Sequence, residues 1–324
     1  MPFASPLRRT LAACLVVSAA SAGAAFPDRP VHLIVGFPPA GGADYVARQV
    51  AQSLGAALGT SVIVDNRPGA NGVIAASEVA RAAADGYTLL LGVTASQSIS
   101  PVLMSKMPYD PLRDFTPITE VGYTPLVLVV NPKTPVKSVG EFIRYVNASS
   151  TPVTYGSAGV GNITHMAAEL FVQSSGVTNM RHIPYKGSSP VITDLLGAHI
   201  DAYFDTLPSS LPFIRNGQLR ALGVTSGERA SAAPEIPTMR EAGVPDYEAT
   251  AWYGVFAPAK LNPELATRLY DALHTSLGTP QARQEMTSRG VEPVLDTPAQ
   301  FQAELEADLV RWRNVTRKAS ITLD

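Results

Sequence analysis

From residue 31 onward the chain switches repeatedly between two hydrophobic periods, and this alternation limits the fold more than any other feature. Val31 to Phe37 is a short β-rich run, and Ala43 to Leu58 then carries Val46, Val50 and Leu54 at helical spacing. Ser61 to Asp65 reads as a strand, Gly72 to Ala83 as a helix, and Tyr87 to Val93 as a nearly continuous apolar strand. A strand without polar alternation is expected where helices cover both faces of a sheet. A βαβαβ order predicts a parallel sheet with right-handed crossovers. The order then recurs: strands at Pro125–Val130, Val153–Gly156, Arg181–Pro184, Ile200–Asp205 and Leu219–Thr225, with helices at Val139–Val146, Ile163–Ser174 and Pro190–Leu196 between them. Glu264–Leu277, Gln281–Arg289 and Pro298–Lys318 add a helical end. Two α/β units are therefore expected in 324 residues. Two extended segments, Val121–Asn131 and Tyr247–Pro258, are candidate links. Periodicity alone leaves open whether the final helices return to the first unit or the units stand in tandem.

Composition removes several function classes. Charged residues make up 16% of the chain and the net charge is −2, so no strong positive field exists for a nucleic acid. A single cysteine, Cys14, permits neither an internal disulfide nor a thiolate-rich zinc site. Arg8 and Arg9 precede a short apolar run, Leu11–Val17, and small residues up to Ala25. This is the layout of a secretory signal peptide over residues 1–24, with cleavage near Ala24 and a bacterial periplasmic address. Leu11-Ala12-Ala13-Cys14 also resembles a lipoprotein box, which would make Cys14 a lipidated first residue. Only three apolar residues separate Arg9 from Cys14, too few for an apolar region ahead of that cut.

In open α/β sheets ligands sit beyond the carboxyl ends of the strands. After the first strand comes Phe37-Pro38-Pro39-Ala40-Gly41-Gly42-Ala43-Asp44. Glycines permit close backbone approach, and the following helix start presents N–H groups and a positive dipole end, an anion site in form. An ordinary tight turn with Asp44 helping to cap the helix fits equally well. Thr94-Ala95-Ser96 follows the third strand with hydroxyls suited to carboxylate oxygens or to capping. In the second unit, Gly156-Ser157-Ala158-Gly159-Val160-Gly161-Asn162 leads into a helix carrying Thr164 and His165. Two such turns at equivalent points suggest two helix ends directed at one anion. Asp205 closes an apolar strand, where it either accepts a bond from a ligand or caps the next helix.

Enzyme patterns are weak. Ser157 does not sit in G-x-S-x-G, so a triad of Ser157, His165 and Asp205 remains only a formal alternative. His165, His182 and His199 lack metal-ligand spacing and read as hydrogen-bonded structural residues, with His165 the one nearest a pocket.

Several ordered segments carry a family resemblance: Phe26-Pro27-Asp28-Arg29-Pro30-Val31, Asp65 to Ala70, Asp85 to Leu90, Tyr109 to Phe115, Tyr155-Gly156-Ser157, His165, Glu169-Leu170-Phe171, Pro184 to Gly187, Leu219 to Leu222 and Pro237-Thr238. The chain resembles the Bug family of substrate-binding proteins of tripartite tricarboxylate transporters. The resemblance implies a two-lobed, Venus-flytrap α/β fold of the type II periplasmic binding proteins. Its first domain would be discontinuous, 25–124 with 253–324, and its second would span 125–252. It implies capture of a small carboxylate (a di- or tricarboxylate, an acidic amino acid or an aromatic acid) by a monomer, without catalysis, metal or cofactor, and delivery to a large and a small membrane permease subunit. A signalling receptor without a transport role is the alternative. Carried over by motif, the pocket would be lined by Phe37, Pro38, Pro39, Ala40, Gly41, Gly42, Asp44, Thr94, Ala95, Ser96, Ser157, Ala158, Gly159, Asn162, His165, Gly187, Ser188 and Asp205. The chain departs from the family pattern at Ala40, where a glycine is common, at Tyr45, and at Asn162 and Ile163.

Overall fold

The computed structural model describes residues 26–39, 41–319 and 321. The expected signal segment with Cys14, its cleavage point, and Ala40 of the first loop lie outside the described residues. In chain order β1 (Val31–Val35) leads to α1 (Gly42–Leu58), β2 (Val62–Asn66), α2 (Val73–Ala80) and β3 (Thr88–Val93). A wide π-type turn, Ala95–Ile99, and the single-turn α3 (Ser100–Leu103) precede the 16-residue β4 (Phe115–Val130). Next come α4 (Val139–Ala148), β5 (Val153–Ser157), α5 (Ile163–Ser175), β6 (Met180–Pro184), α6 (Ser188–Leu196), β7 (Ala202–Thr206), α7 (Leu207–Arg215) and β8 (Arg220–Val224). The chain ends with β9 (Thr250–Pro258), α8 (Pro263–Leu277), α9 (Pro280–Ser288), β10 (Glu292–Pro293) and α10 (Pro298–Ala319).

The helical spacing in α1 does what it predicts: Val46, Val50 and Leu54 are buried against β1 and β3. Gly59, at φ 70, ends this helix and returns its N–H to Gly55 O. This left-handed termination is the one glycine makes without steric cost. The apolar run of β3 splits its side chains as a two-faced strand must. Leu89, Leu91 and Val93 enter the core under α1 and α8, while Leu90 enters another with Val73 and Phe301. In β4, Leu126, Leu128 and Val130 face one core and Val127 and Val129 another.

The parallel sheet expected from the βαβαβ order is present in each unit, and the two crossover segments add antiparallel pairing between them. β2–β1–β3 and β6–β5–β7 are parallel sets, but β9 runs antiparallel to β3 and β4, and β4 runs antiparallel to β7 and β8. The two connecting strands thus turn the sheet into a mixed one. β4 serves both sides: Phe115–Pro125 pairs with β9, and Leu126–Val130 lies between β7 and β8. Pro117 and Pro125 within it obscure its first half in the sequence. The pairing shifts register between Pro117 and Thr119, where a proline is tolerated.

The last helix spans more of the molecule than its position suggests. Phe301, Leu305 and Leu309 pack with Trp252 and Phe256, whereas Trp312 and Val315 pack with Phe142 and Phe171. Gln173 Nε2 also donates to Val315 O at 2.9 Å. Burial of each such side chain is worth about 1.5–3 kcal/mol, so both ends of α10 are anchored.

Candidate functional site

The first glycine turn is built on a backbone-to-backbone contact. A Cβ placed on Gly36 would lie 2.4 Å from the Gly72 Cα, and one on Gly72 would lie 3.2 Å from both the Phe37 ring and Ser96 Cβ. Neither glycine can therefore carry a side chain without moving the turn. Phe37 and Ser96 are brought together across Gly72, while Pro38, Pro39, Gly41 and Gly42 remain exposed. Gly41 is the N-cap of α1 and has no side chain to offer the first helical turn. Its extended backbone, at φ −88 and ψ 175, leads straight into the helix.

Asp44 is buried, and its carboxylate accepts from Arg48 Nε at 2.8 Å, Arg48 Nη2 at 3.1 Å and Asn66 Nδ2 at 3.1 Å. Asn66 Nδ2 also donates to Phe37 O at 2.9 Å. The acid thus braces the turn and has its charge balanced by Arg48. Tyr45 is directed toward α9: its hydroxyl donates to Glu285 O, and the Arg289 guanidinium lies 4.9 Å from its ring centroid. Burial, then Glu285, pushes its phenol up, partly offset by Arg289. Thr94 accepts from Trp252 N at 2.8 Å and donates to Thr250 O, which fastens the end of β3 to β9. Ser96 Oγ bonds the Val93 backbone, and Ser96 O accepts from Tyr109 at 2.6 Å. Thr94, Ala95 and Ser96 are all buried.

The second turn is a connected unit. Asn162 caps α5 by accepting from Thr164 N at 3.1 Å, and Thr164 Oγ1 accepts from Ala158 N at 2.9 Å. Asn162 N donates to Gly159 O, and Gly187 N donates to Ala158 O, both at 3.2 Å. Gly159, at φ 140, and Gly161, at φ 72, adopt backbone shapes that L side chains rarely take. Ser157, Ala158, Gly159, Asn162 and Gly187 are therefore neighbours. Ser157 Oγ meets His182 Nε2 at 2.6 Å, and His165 Nδ1 accepts from Gly161 N at 3.2 Å. Ser188 Oγ lies 2.7 Å from the Tyr203 hydroxyl on β7. Asp205 is fully buried and accepts from Ser210 Oγ at 2.7 Å; burial pushes its carboxyl up, opposed by its hydrogen bonds.

This geometry corrects the formal triad. The histidine on Ser157 is His182, and Asp205 is bonded to Ser210 within the segment that starts α7. His182, which motif reading leaves as one of three hydrogen-bonded histidines, is the one tied to Ser157, a placement those motifs miss. It lies directly opposite Tyr155 in the β5–β6 register, and that pairing becomes visible only once the parallel sheet is drawn. Gly72 and Asn66, which shape the first turn from the β2–α2 connection, are two further omissions.

Two α/β units, linked by antiparallel crossover strands and bearing glycine turns at the carboxyl ends of their central strands, define a two-lobed binding protein of the periplasmic-receptor type. The chain belongs to the tripartite tricarboxylate transporter family of receptors, whose family model matches residues 46–321. It is 37% identical to the protein BugT of Bordetella pertussis over 92% of this chain and 91% of that protein. The R. palustris protein Rpa4515, solved with adipate, is 36% identical with a TM-score of 0.81, over 92% of this chain and 99% of that one. MatC from Rhodopseudomonas palustris, solved with bound malate, is 29% identical with a TM-score of 0.76, over 90% and 99%. The family is one of substrate-binding receptors and not of enzymes.

Proposed function

We propose that this receptor captures a small carboxylate in a cleft between its lobes, in the periplasm, and hands it to the large and small subunits of a tripartite tricarboxylate-type permease. The lobes would be 25–124 with 253–324, and 125–252, with α10 reaching across both. The export signal would be removed near Ala24, and the mature chain would act as a monomer. The observation that carries this reading is the pair of glycine turns, Phe37–Gly42 and Ser157–Asn162, each entering a helix N-terminus at the carboxyl end of a parallel strand. A helix start contributes about 0.3–1 kcal/mol to a bound anion when exposed, and up to about 2 when partly buried. Micromolar affinity requires about 8 kcal/mol, so backbone N–H groups and lobe closure must supply the remainder. The neighbours solved with adipate and with malate support a carboxylate ligand.

A thermal-shift screen of the mature protein against mono-, di-, tricarboxylic and aromatic acids tests the reading. An acid present at 100 times its Kd stabilises by about 2.7 kcal/mol. Stabilisation by a sugar or a cation and by no carboxylate overturns it.

A further inference from the structure

Two imidazoles from different elements grip the second turn at its two ends. His182, on β6, bonds Ser157 at the start of the turn, and His165, on α5, accepts the Gly161 N–H near its end. The rings are stacked, with centroids 3.9 Å apart and planes 12° from parallel. Tyr155 of β5 extends the stack onto His182 at 5.1 Å. A backbone N–H can only donate, so the Nδ1 that faces Gly161 carries no proton and the proton of that ring sits on Nε2. Nε2 faces Glu169 Oε1 at 3.6 Å, and Glu169 in turn accepts from the Tyr155 hydroxyl. Among the described residues, the titratable groups that face the pair are thus Glu169 of α5 and Tyr155 of β5, with the neutral Ser157 beside them.

We propose that His165 and His182 form a proton-sensitive latch on the Ser157–Asn162 turn, holding it in its ligand-ready shape while both rings are neutral and releasing it when the pair takes up a proton. The inference rests on the reading that this turn contacts the carboxylate. The mechanism is geometric. A proton on His165 Nδ1 would set one donor against another at Gly161, and two cationic rings at stacking distance repel. Burial, and then His165, lowers His182 from its ordinary 6.5 to about 4, against the pull of Glu169. The unfolded chain therefore binds this proton below about 6.5 and the folded chain only below about 4. Stability present above pH 6.5 is lost as the pH falls through that window. Simple charge attraction would do the opposite to binding, because a protonated pair should draw an anion in. The two accounts differ in sign.

The test uses adipate and malate with wild type, H182Q and H182A, with folding of each checked by its melting temperature. H182A should weaken binding at pH 7.5 about tenfold, the size of one lost hydrogen bond. Glutamine supplies an amide to Ser157 but does not titrate, so H182Q should recover about half of that loss in free energy. The ratio of H182Q affinity to wild-type affinity, in which titration of the acid itself cancels, should stay level from pH 7.5 to about 6 and rise as the pH falls through about 4. A ratio that falls, as attraction to a charged pair would give, or one that stays flat, overturns the latch. If neither acid binds wild type, the carboxylate reading is at fault for these acids, and the latch is judged on the free protein. There the Ser157 amide resonance, beside His182, should move between pH 7 and pH 4 in wild type and stay put in H182Q. Identical behaviour in the two proteins overturns the latch.

Discussion

In the turn after β1 the brace is a carboxylate held by permanent charge: Asp44 is gripped by Arg48 and Asn66, and Asn66 also holds the Phe37 carbonyl. In the turn after β5 the brace is a stacked imidazole pair with an asparagine cap. α1 begins at a glycine with no side chain to offer, whereas α5 begins at Asn162, whose side chain takes the Thr164 N–H. The same form, a glycine turn entering a helix, is thus reached once with a carboxylate paired to an arginine and once with a histidine that burial lowers to about 4. The two turns should respond differently to pH and to mutation.

The largest difference is expected from Gly36→Ala. Its Cβ would strike the Gly72 backbone, which cannot step aside as a flexible side chain can. Overpacking of this kind costs about 3 kcal/mol; a lower melting temperature together with lost ligand binding would show that the first turn depends on this contact. An unchanged melting temperature would break the argument.

A second measurement opposes two titrations. Burial, followed by Asp296, Glu304, Asp308 and Glu248, raises Glu120 on β4 from 4.5 to about 8. Because its folded value is raised, the unfolded chain releases this proton first, so the residue destabilises the fold as pH rises from about 4.5 toward 8. Glu120→Gln should therefore raise the melting temperature at pH 8 by an amount corresponding to roughly 2 kcal/mol, with almost no effect at pH 4.5. This sign is opposite to that of His182. Equal gains at both pH values would refute the assignment.

Asp44→Asn should cost about 1.5 kcal/mol by breaking the buried brace, with a cost independent of pH between 6 and 8; urea denaturation at the two pH values measures it. The smallest effect is expected from Asn162→Ala, about 1 kcal/mol for a lost N-cap. Its cost to ligand affinity should exceed its cost to stability, because the turn can loosen while α5 stays packed through Met166 and Phe171. Calorimetric titration beside thermal melts would separate the two.

Much of the framework is legible in the sequence because burial follows periodicity. The Val46–Val50–Leu54 stripe and the Leu89–Leu91 run state which faces are covered. Residues at the sheet's centre are harder to read. The antiparallel course of β4 and β9 leaves no local pattern, and α7 is hidden by Pro208 and Pro212, although the first sits at its start and the second is accommodated within it. At the site, sequence motifs find the glycine turns, since special backbone geometry demands glycine. They leave His182 as one hydrogen-bonded histidine among three, because its place in the turn arises from the neighbour that parallel pairing gives it. Tyr45, where the chain departs from the family pattern, is turned by one helical step from Asp44 toward α9.

α10 has a mechanical consequence. With Leu309 sealed into one core and Trp312 into the other, the two halves of the molecule share a splint about one turn long at their junction. On the two-lobe reading proposed above, a rotation about β4 and β9 would carry this helix with one lobe and shear it across the other. The rows of side chains along α10 would then set which angles between the halves count as resting positions.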